Sequence, residues 1–458
     1  MQTVAVIDLG KTNSKVALVD TASAEEIKVI TQPASVNLHS VYPSLDHETI
    51  KTFVIESLSS LFTEHTVDAI TVTTHGATAA LINAEGELAL PVLDYEFDGV
   101  DELRTDYNKF RPPFSETGSP PLPGGLNIGA QLYWQQKNYP QQFATATTLL
   151  TWPQYWIHYL TGQKYNDVSS LGCHTDLYQP REQCYSSLVD RMDWSALMPP
   201  TKTSGKLCGT LKADLAKLTG LPPDLPVFTG IHDSNASLVP HLVTQKPPFT
   251  VVSTGTWFIV MAPGGSVTEL DAGRDTLLNV SATGQSVPSS RFMGGREREL
   301  LAFSKTPSQQ SMDKLLSDHS NPVMLMPSVV QGTGPYPKAE TRWLGTDSDN
   351  DALRNCSTTL YMAMMTIECM KLIGAEGSIF IEGPLSDDQQ YAQLLAAVTG
   401  REVMISAAQT GTSIGAAMMI NKPDVPPSYI PIKVEPDGRA QLQRYASLWQ
   451  RNLHDHAI

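Results

Sequence analysis

Two polar segments in this 458-residue chain follow apolar runs and carry residue types that bind phosphate. In the first, residues 6–15 (VIDLGKTNSK), Asp8 stands where the apolar run meets solvent. A glycine and three polar residues follow: Gly10, Lys11, Thr12 and Asn13. Their backbone N–H groups, hydroxyl and ammonium group suit a β-hairpin turn that holds a phosphate chain. An ordinary glycine-containing hairpin is the alternative interpretation.

A second segment of the same design lies in the other half of the chain. Residues 251–260 (VVSTGTWFIV) run from an apolar stretch into a polar turn and back into an apolar stretch. The turn consists of Ser253, Thr254, Gly255 and Thr256. Two phosphate-type hairpins, one opening each half, predict two related domains that hold one nucleotide between them.

An acidic residue suited to proton transfer follows a third apolar run. In residues 228–238 (FTGIHDSNASL), Asp233 precedes small residues that suit the start of a helix. Backbone N–H groups and a carboxylate would then face the same point. Asp233 is therefore the best candidate to accept a proton from an attacking hydroxyl in phosphoryl transfer, a reaction in which the protein mainly positions groups and neutralises charge. A helix N-cap is the alternative role.

The elements that must position these residues alternate between strand and helix patterns. Strand-like runs are expected at residues 27–31, 69–74 and 227–229, and helix-like runs at residues 45–63, 128–138 and 149–162. Residues 110–125, which are rich in Pro and Gly, are expected to form a loop. The alternation predicts an α/β fold, in which ligands gather at strand ends.

Length and composition predict a folded protein of two domains. A chain of 458 residues exceeds what one hydrophobic core usually supports. Its content of 41% hydrophobic and 17% charged residues is typical of globular proteins. We place the boundary near residue 244, just ahead of the prolines that precede the second hairpin, which gives predicted domains at residues 1–244 and 245–458.

Charge, apolar runs and cysteines exclude several classes. A net charge of −15 without a Lys/Arg cluster argues against nucleic acid as a partner. No apolar stretch approaches about 18 residues and the first residues show no targeting pattern, so we expect no membrane span and a cytoplasmic location. The five cysteines are scattered without C-x-x-C spacing, which predicts reduced thiols and no zinc site.

The order of the segments resembles that of the FGGY carbohydrate kinases, members of the actin-like ATPase superfamily. The shared features are the two hairpins, the Leu-Thr-Gly segment at residues 160–162 followed by Asp167 and Ser169, the Asp233 motif, and the closing motif at residues 410–417. The resemblance covers nearly the whole chain. It is closest to the rhamnulokinase, fuculokinase and xylulokinase branch.

The resemblance implies two actin-like, ribonuclease H-like domains that flank a cleft for nucleotide and sugar. It places sugar binding, the first hairpin and the catalytic base in residues 1–244, and the second hairpin and the adenosine site in residues 245–458. The implied reaction transfers the γ-phosphate of MgATP to a hydroxyl of a small ketose. That ketose is expected to be a ketopentose or a 6-deoxyketohexose such as L-rhamnulose, L-fuculose or xylulose.

The resemblance also implies the catalytic and metal-binding residues. Gly230, Asp233 and Ala236 match the family's G-x-x-D-x-x-A motif, in which the acid is the catalytic base. Asp8 and Asp233 would hold Mg²⁺, Asp8 through water, because magnesium gives up its hydration reluctantly. A turn-initiating Asp is the alternative for Asp8. Lys15 stands where family members often have Arg and would contact phosphate without Arg's bidentate fork.

The adenosine end of the nucleotide is expected at residues 378–386, which resemble the family's strand followed by a Gly-Gly loop. Here the second glycine is replaced by Pro384, while Gly383 allows the base to approach closely. In the closing motif, Thr412 is expected to contact the nucleotide. A simple strand-to-helix turn is the alternative for the loop.

Sugar binding requires convergent polar groups beside an aromatic or apolar wall. The resemblance implies contacts from Thr74, His75, Gly76, Asp94, Trp152, His232 and Asp233. At Asp94 many family members have an Arg-Asp pair, and the Arg is absent here. A core tryptophan is the alternative for Trp152, and a structural histidine is the alternative for His232.

Two other functions stay open at this stage. One is a polyol or signalling-sugar kinase of the same fold, and the other is a nucleotide-binding regulator that turns over no sugar. The acids at positions 8 and 233 favour an enzyme. Family habit implies a homodimer, and no membrane partner is expected.

Overall fold

Sheets and helices alternate along the chain and are divided between two units. The computed structural model describes residues 2–267, 269–302, 307–406, 411–423 and 428–456. The first unit takes in Met1–Thr244, Leu278–Ser286 and Thr410–Pro426, and the second takes in Gln245–Leu277, Val287–Gln409 and Pro427–Ile458. Thr410 of the predicted closing motif lies outside the described residues.

Short strands and helices make up the first 244 residues. The strands are β1 (Thr3–Leu9), β2 (Asn13–Asp20), β3 (Glu25–Pro33), β4 (Val36–Asn37), β5 (Ser44–Leu45), β6 (Ala69–Thr74), β7 (Ala79–Ile82), β8 (Thr148–Thr151), β9 (Asn166–Asp167), β10 (Tyr178–Gln179), β11 (Cys184–Tyr185), β12 (Thr201–Lys202), β13 (Leu207–Thr210), β14 (Pro226–Phe228) and β15 (Ile231–His232). The helices are α1 (His47–Glu64), α2 (Arg104–Tyr107), α3 (Phe114–Thr117), α4 (Ile128–Asn138), α5 (Pro140–Phe143), α6 (Trp152–Thr161), α7 (Val168–Leu171), α8 (Ser187–Arg191), α9 (Ala213–Thr219) and α10 (Asp233–Thr244).

Longer helices appear in the remainder of the chain. The strands are β16 (Phe249–Thr254), β17 (Phe258–Met261), β18 (Thr276–Val280), β19 (Ser286–Phe292), β20 (Met324–Met326), β21 (Arg342–Leu344), β22 (Ser378–Glu382), β23 (Val403–Ser406) and β24 (Tyr429–Pro431). The helices are α11 (Gly294–Leu301), α12 (Gln309–Ser317), α13 (Asp351–Leu372), α14 (Gln389–Thr399), α15 (Thr412–Met418) and α16 (Pro436–His456). In the described part of the chain, no helix combines the length and the apolar character needed to span a membrane.

The main sheet of the first unit carries the predicted first hairpin. Its strands run in the order β13-β14-β6-β1-β2-β3, and β15 also pairs with β6. β1, β2 and β3 are antiparallel neighbours, whereas β6 runs parallel to β1. The central residues of β1 are buried on both faces, as an apolar run between two other strands requires. The Gly10 N–H donates to the Asn13 carbonyl at 3.0 Å and closes the turn.

The second hairpin also forms where it was predicted. β16 and β17 are antiparallel, and β22 lies parallel to β16 on its other side. The whole sheet has the order β18-β19-β17-β16-β22-β23-β24. α13 is buried along most of its 22 residues and belongs to the hydrophobic core beneath this sheet.

Most element predictions agree with the structure, with small shifts at the ends. The predicted helical run at residues 149–162 is wrong in part, because it begins within the strand β8 (Thr148–Thr151) and is helical only in α6 (Trp152–Thr161). The predicted helix at residues 45–63 is α1, and the one at residues 128–138 is α4. The predicted loop at residues 110–125 is wrong in part, because α3 forms within it. α3 is only one turn long and ends at Gly118 in the left-handed conformation, so it has no helical periodicity for a sequence pattern to show.

Two segments from the second half of the chain belong to the first unit, which the sequence analysis did not anticipate. In the segment 278–286, the Leu278 N–H donates to the Gly118 carbonyl at 2.9 Å, and Val280 is buried in a core with Val168 and Leu171. The other segment contains α15, which packs against α10. Gly415 of α15 lies so close that an added Cβ atom would be 1.8 Å from the Ala236 carbonyl oxygen.

This close approach predicts that Gly415→Ala destabilises the first unit by about 1–3 kcal/mol, because the two helices must separate to make room for a methyl group. Thermal and urea unfolding would measure the loss. Gly438→Ala is the matched control, since a Cβ atom there meets nothing within 4 Å. Alanine favours a helix more than glycine does, so the control should melt at or above the wild-type temperature. A wild-type melting temperature for Gly415→Ala would contradict the prediction.

Candidate active site

Asp8, the next-to-last residue of β1, is a buried carboxylate that is surrounded by donors. Its side chain lies opposite Lys15 of β2, and the Lys15 Nζ is 3.4 Å from the Asp8 Oδ2. The hydroxyls of Thr412 and Ser413 donate to the same oxygen, Ser413 at 3.1 Å. Burial raises the pKa of Asp8, while the Thr412 hydrogen bond and the Lys15 charge oppose that rise. α15 therefore holds the carboxylate from the opposite end of the chain.

Lys11 is held by the segment that was predicted to contact the sugar. Its Nζ forms an ion pair with Asp94, lies 3.2 Å from the Glu96 Oε2, and sits 4.8 Å from the centre of the Tyr95 ring. The structure thus brings a predicted phosphate ligand and a predicted sugar ligand together. A phosphate that binds Lys11 must compete with two carboxylates.

The other residues of the first turn are accessible. Thr12 and Asn13 are exposed, and Gly10 is half-buried. Lys15 is only partly exposed and also binds Glu26 of β3 at 3.0 Å. The turn can therefore present its backbone and side chains to a ligand, whereas the Lys15 ammonium group already has two carboxylate partners.

Thr74, His75 and Gly76 lie at the end of β6, next to the end of β1. The Thr74 hydroxyl donates to the His75 carbonyl at 2.9 Å and is buried. The His75 Nδ1 is 3.0 Å from the Gly76 carbonyl, to which it donates, and its ring meets the Tyr95 ring edge-on. Burial lowers the pKa of His75 and favours the neutral ring.

Asp233 is the first residue of α10, as the sequence predicted, and its side chain is 30% exposed. The Ser234 N–H and hydroxyl donate to its Oδ1 at 2.6 and 3.3 Å. The His232 Nε2 lies 3.2 Å from the same oxygen. Burial raises the pKa of Asp233, and the hydrogen bonds from Ser234 oppose that rise. The carboxylate is thus recessed and fixed on one side.

His232 is buried and lies beside Asp233 on the short strand β15. Burial lowers its pKa to about 4, so the imidazole is neutral at pH 7. Its backbone N–H donates to the Ser169 hydroxyl at 3.1 Å. Ser169 in turn donates to the Asp167 Oδ2 at 2.7 Å. The segment that follows the Leu-Thr-Gly motif therefore positions the residue next to the candidate base.

Asp167 is fully buried and accepts hydrogen bonds from three residues. Besides Ser169, it accepts from the Ser170 N–H at 2.7 Å and from the Ser204 hydroxyl at 3.3 Å. Burial raises the pKa of Asp167, and these hydrogen bonds oppose that rise. Its side chain has no access to solvent, so Asp167 stabilises the neighbouring segment and does not itself contact a ligand.

Trp152 begins α6 and is fully buried in the hydrophobic core of the first unit. Its ring stacks on Tyr155 with centroids 5.2 Å apart. It also borders a narrow cavity that His75, Gly10 and Lys11 help to line. The placement matches the core tryptophan that the sequence analysis left open, and its contact with sugar stays a prediction.

In the second unit, Thr254 connects the second hairpin to the predicted adenosine loop. Its hydroxyl donates to the Glu382 carbonyl at 2.6 Å and accepts from the Leu385 N–H at 3.0 Å. Gly383 has a φ of +82°, and an added Cβ atom would lie 2.8 Å from the Thr254 carbonyl oxygen. Glycine is thus required here by the backbone itself. A contact between Gly383 and adenine stays a prediction.

Gly255 and Thr256 are exposed at the second turn, and the start of α11 packs against their backbone. The Gly295 N–H donates to the Thr256 carbonyl at 3.2 Å, and an added Cβ atom at Gly295 would lie 2.2 Å from the Gly255 carbonyl oxygen. In the same helix, Glu297 is buried and accepts from the Val330 N–H at 3.2 Å. Burial raises the pKa of Glu297 to about 7.

Comparison with known proteins covers both units. Residues 3–240 match the FGGY family of carbohydrate kinases, N-terminal domain, and residues 246–427 match the carbohydrate kinase FGGY, C-terminal domain. A crystal structure of a carbohydrate kinase from Novosphingobium aromaticivorans is 34% identical, with a TM-score of 0.89 over 98% of this chain and 99% of that one. The chain belongs to the FGGY family of carbohydrate kinases. The predicted family and the predicted two-domain, actin-like α/β fold are confirmed.

Two further comparisons are weaker. One relative matches only part of the chain, and one solved structure matches the whole chain at low identity. The L-fuculokinase of Salmonella typhi is 28% identical over 274 residues, which span 57% of this FGGY chain and 57% of that protein. Plasmodium falciparum glycerol kinase, solved with ADP, is 14% identical, with a TM-score of 0.78 over 100% of this chain and 99% of that one. At this identity the likeness to glycerol kinase concerns the fold alone.

Family membership implies a Mg²⁺ ion that accompanies the nucleotide, and the first unit of this FGGY chain offers two suitable carboxylates. The negative charge of Asp233 is near enough to raise the pKa of Asp8. A divalent cation would relieve that repulsion, and Mg²⁺ prefers oxygen ligands. The described residues include no group of three or more His, Cys, Asp or Glu side chains that could hold a metal. The two aspartates fit an ion that keeps phosphate and water among its ligands.

Two connections in this FGGY site were not predicted from the sequence. Ser413 donates to Asp8 alongside Thr412, although 405 positions separate Ser413 from Asp8. Glu96 shares Lys11 with Asp94. No local pattern marks this pairing, because Lys11 lies 83 positions before Asp94 in the sequence.

The buried Glu297 generates a prediction about the pH dependence of stability. In the unfolded chain its carboxyl ionises near its ordinary pKa of 4.5, whereas in the folded chain the pKa is about 7. Between these values the unfolded state loses its proton first, so stability falls as the pH rises. Glu297→Gln should remove this loss and gain up to about 3 kcal/mol relative to wild type between pH 4.5 and 7.5.

Urea unfolding at several pH values within this window would measure the difference. Glu299→Gln is the control, because Glu299 is an exposed residue of the same helix that pairs with Arg296 at 3.0 Å. The control should follow the wild-type pH dependence. An unchanged slope for Glu297→Gln would contradict the prediction.

Proposed function

We propose that this chain transfers the γ-phosphate of MgATP to a hydroxyl of a small ketose, with Asp233 as the general base. The main support is the asymmetry of the Asp233 carboxylate. Oδ1 accepts from Ser234 and lies beside the His232 Nε2, while the described residues provide no donor to Oδ2. A base needs such an oxygen, fixed in place and able to reach a proton.

In the proposed reaction the acceptor hydroxyl loses its proton to Asp233 as its oxygen bonds to the γ-phosphorus. The bond between the γ-phosphorus and the bridging oxygen breaks, and ADP leaves. The raised pKa of Asp233 suits this role, because it brings the carboxylate closer in proton affinity to the hydroxyl than an exposed aspartate would be. Mg²⁺, when bound, neutralises charge on the phosphates, and Asp8 and Asp233 are the residues proposed to hold it.

The nucleotide is proposed to contact the exposed turns of both hairpins. The first turn offers the residues around Gly10, Thr12 and Asn13, and the second offers Gly255 and Thr256. Thr254 and Gly383 form the base of the second turn and its neighbouring loop. Backbone N–H groups at such turns are suited to phosphate oxygens.

The sugar is proposed to bind near His75, Asp94 and Asp233. His75 donates from Nδ1 to Gly76, which leaves its Nε2 able to accept from a sugar hydroxyl. A 6-deoxyketohexose is the first candidate, since the partial match to L-fuculokinase favours it, and a ketopentose is the second. The predicted cytoplasmic location and the predicted homodimer stay predictions.

The test is an ADP-release assay with MgATP and a panel of ketoses and polyols. We expect turnover with at least one 6-deoxyketohexose or ketopentose. Turnover of a polyol alone would favour the polyol kinase alternative. Failure of every acceptor, with ATP binding retained, would favour the non-catalytic regulator.

With the best acceptor, Asp233→Asn should lower kcat by about 10²-fold to 10⁴-fold, because the amide cannot take the proton. Asp214→Asn is the matched control, since Asp214 is an exposed residue of α9. Its kcat should equal that of wild type. If turnover by Asp233→Asn stays within about tenfold of wild type, the assignment of the base is wrong.

A further inference from the structure

We propose that Lys11 is a positioning residue of the acceptor site and not a ligand of the phosphate chain. Its ammonium group holds one oxygen of the Asp94 carboxylate, which leaves the other oxygen, Oδ2, to accept from a hydroxyl of the ketose. This inference deepens the proposed function and rests on the ketose binding near His75, Asp94 and Asp233.

The side chain of Lys11 is engaged by one short segment, residues 94–96. Its Nζ forms an ion pair with Asp94 and lies 3.2 Å from the Glu96 Oε2. The same atom sits over the ring of Tyr95, 4.8 Å from its centre, where the face of the ring attracts a cation. The ammonium group thus has three neighbours in this segment.

Asp94 is buried and its backbone is fixed. Its N–H donates to the Pro43 carbonyl at 3.0 Å, and its carbonyl accepts from the Phe97 N–H at 2.9 Å. In the side chain, Oδ1 accepts from the Lys11 ammonium group and from the Glu96 N–H, the latter at 3.1 Å. The described residues provide no donor to Oδ2. A carboxylate oxygen of this kind is suited to accept from a hydroxyl of a ligand.

Lys11 also lies among the residues proposed to bind the sugar. The Tyr95 ring meets the His75 ring edge-on, with centroids 5.4 Å apart. Lys11, His75 and Trp152 line the same narrow cavity. The backbone of Tyr95 is held by Gly125, whose N–H donates to the Tyr95 carbonyl at 2.9 Å. The neighbours of the ammonium group therefore belong to the acceptor side of the first unit.

The other lysine of the first hairpin has different partners. The Lys15 Nζ lies 3.4 Å from the Asp8 Oδ2 and 3.0 Å from the Glu26 Oε1. Asp8 is proposed to hold Mg²⁺, so Lys15 belongs with the phosphate side of the site. The hairpin thus divides its two ammonium groups between the two substrates.

Removal of the Lys11 ammonium group would leave the buried Asp94 carboxylate without this cation. Breaking such a pair is costly because the remaining charge is poorly solvated, so the Asp94 side chain should lose its fixed position. The ketose then loses a hydroxyl contact, whereas the phosphate chain loses none. The defect should therefore appear in binding of the ketose and not in binding of the nucleotide.

Steady-state kinetics on the full chain, with MgATP and the best ketose of the panel, test the proposal. Lys11→Met should raise KM for the ketose by about tenfold or more, with KM for MgATP changed by less than about threefold. Lys11→Arg should recover most of the loss, because a guanidinium group also pairs with a carboxylate. Lys28→Met is the matched control, since Lys28 is an exposed lysine of β3 that pairs with Glu64 at 3.3 Å. It should keep the wild-type kcat and KM values.

A double variant shows whether Lys11 acts through Asp94. Asp94→Asn alone should raise KM for the ketose by about tenfold or more, and adding Lys11→Met to it should raise KM by less than about threefold further. Residues that act as a unit are not additive. A KM for the double variant that multiplies the two single effects would overturn the positioning role.

A rise in KM for MgATP with an unchanged KM for the ketose would overturn the proposal in favour of a phosphate contact. Equal losses in Lys11→Arg and Lys11→Met would also overturn it. If the wild-type chain turns over no ketose, the proposed function itself fails. If the wild-type chain is active and Lys11→Met keeps its KM values, only the positioning inference fails.

A structure of the wild-type chain keeps the proposal testable even if the variants do not fold. Crystals would be grown with a non-hydrolysable ATP analogue in which nitrogen bridges the β- and γ-phosphates, with and without the best ketose. We expect the Lys11 Nζ to keep its hydrogen bond to Asp94 in both, and Oδ2 to accept from a ketose hydroxyl. A Lys11 Nζ that donates to a phosphate oxygen would overturn the proposal.

Discussion

Three buried or recessed aspartates at strand ends govern the structure of the first unit. Asp8 follows the apolar part of β1, Asp167 ends β9, and Asp233 follows β15. A carboxylate removed from water is costly unless donors surround it. The fold therefore has to bring hydroxyls, backbone N–H groups and a cation to these three points, and this requirement explains why distant segments converge there.

The donors come from parts of the chain that have little else in common. α15 supplies two hydroxyls to Asp8, and the loop before β13 supplies the Ser204 hydroxyl to Asp167. For α15 to reach Asp8 it must pack closely on α10, which is possible because Gly415 has no side chain. The contact between α10 and α15 thus stabilises the first unit and also positions the two hydroxyls that donate to Asp8.

Other glycines allow neighbouring groups to pack closely beside each of the two hairpins. In the first unit, Gly76 leaves space for the His232 ring beside Asp233. In the second unit, Gly295 and Gly383 let neighbouring backbone approach the turn around Thr254 and Gly255. Turns that are buttressed by backbone rather than by long side chains can keep their N–H groups in fixed directions, as phosphate binding requires.

Local patterns of apolar, small and polar residues were enough to predict the family, the two hairpins, most helix positions and the place of Asp233. The hydrogen bond of Thr412 to Asp8, the ion pair of Lys11 with Asp94 and the burial of Trp152 in the core become visible only in the folded chain. The Thr412 and Lys11 partners are 404 and 83 positions away. No local pattern records such pairings, since they follow from how sheets and helices stack.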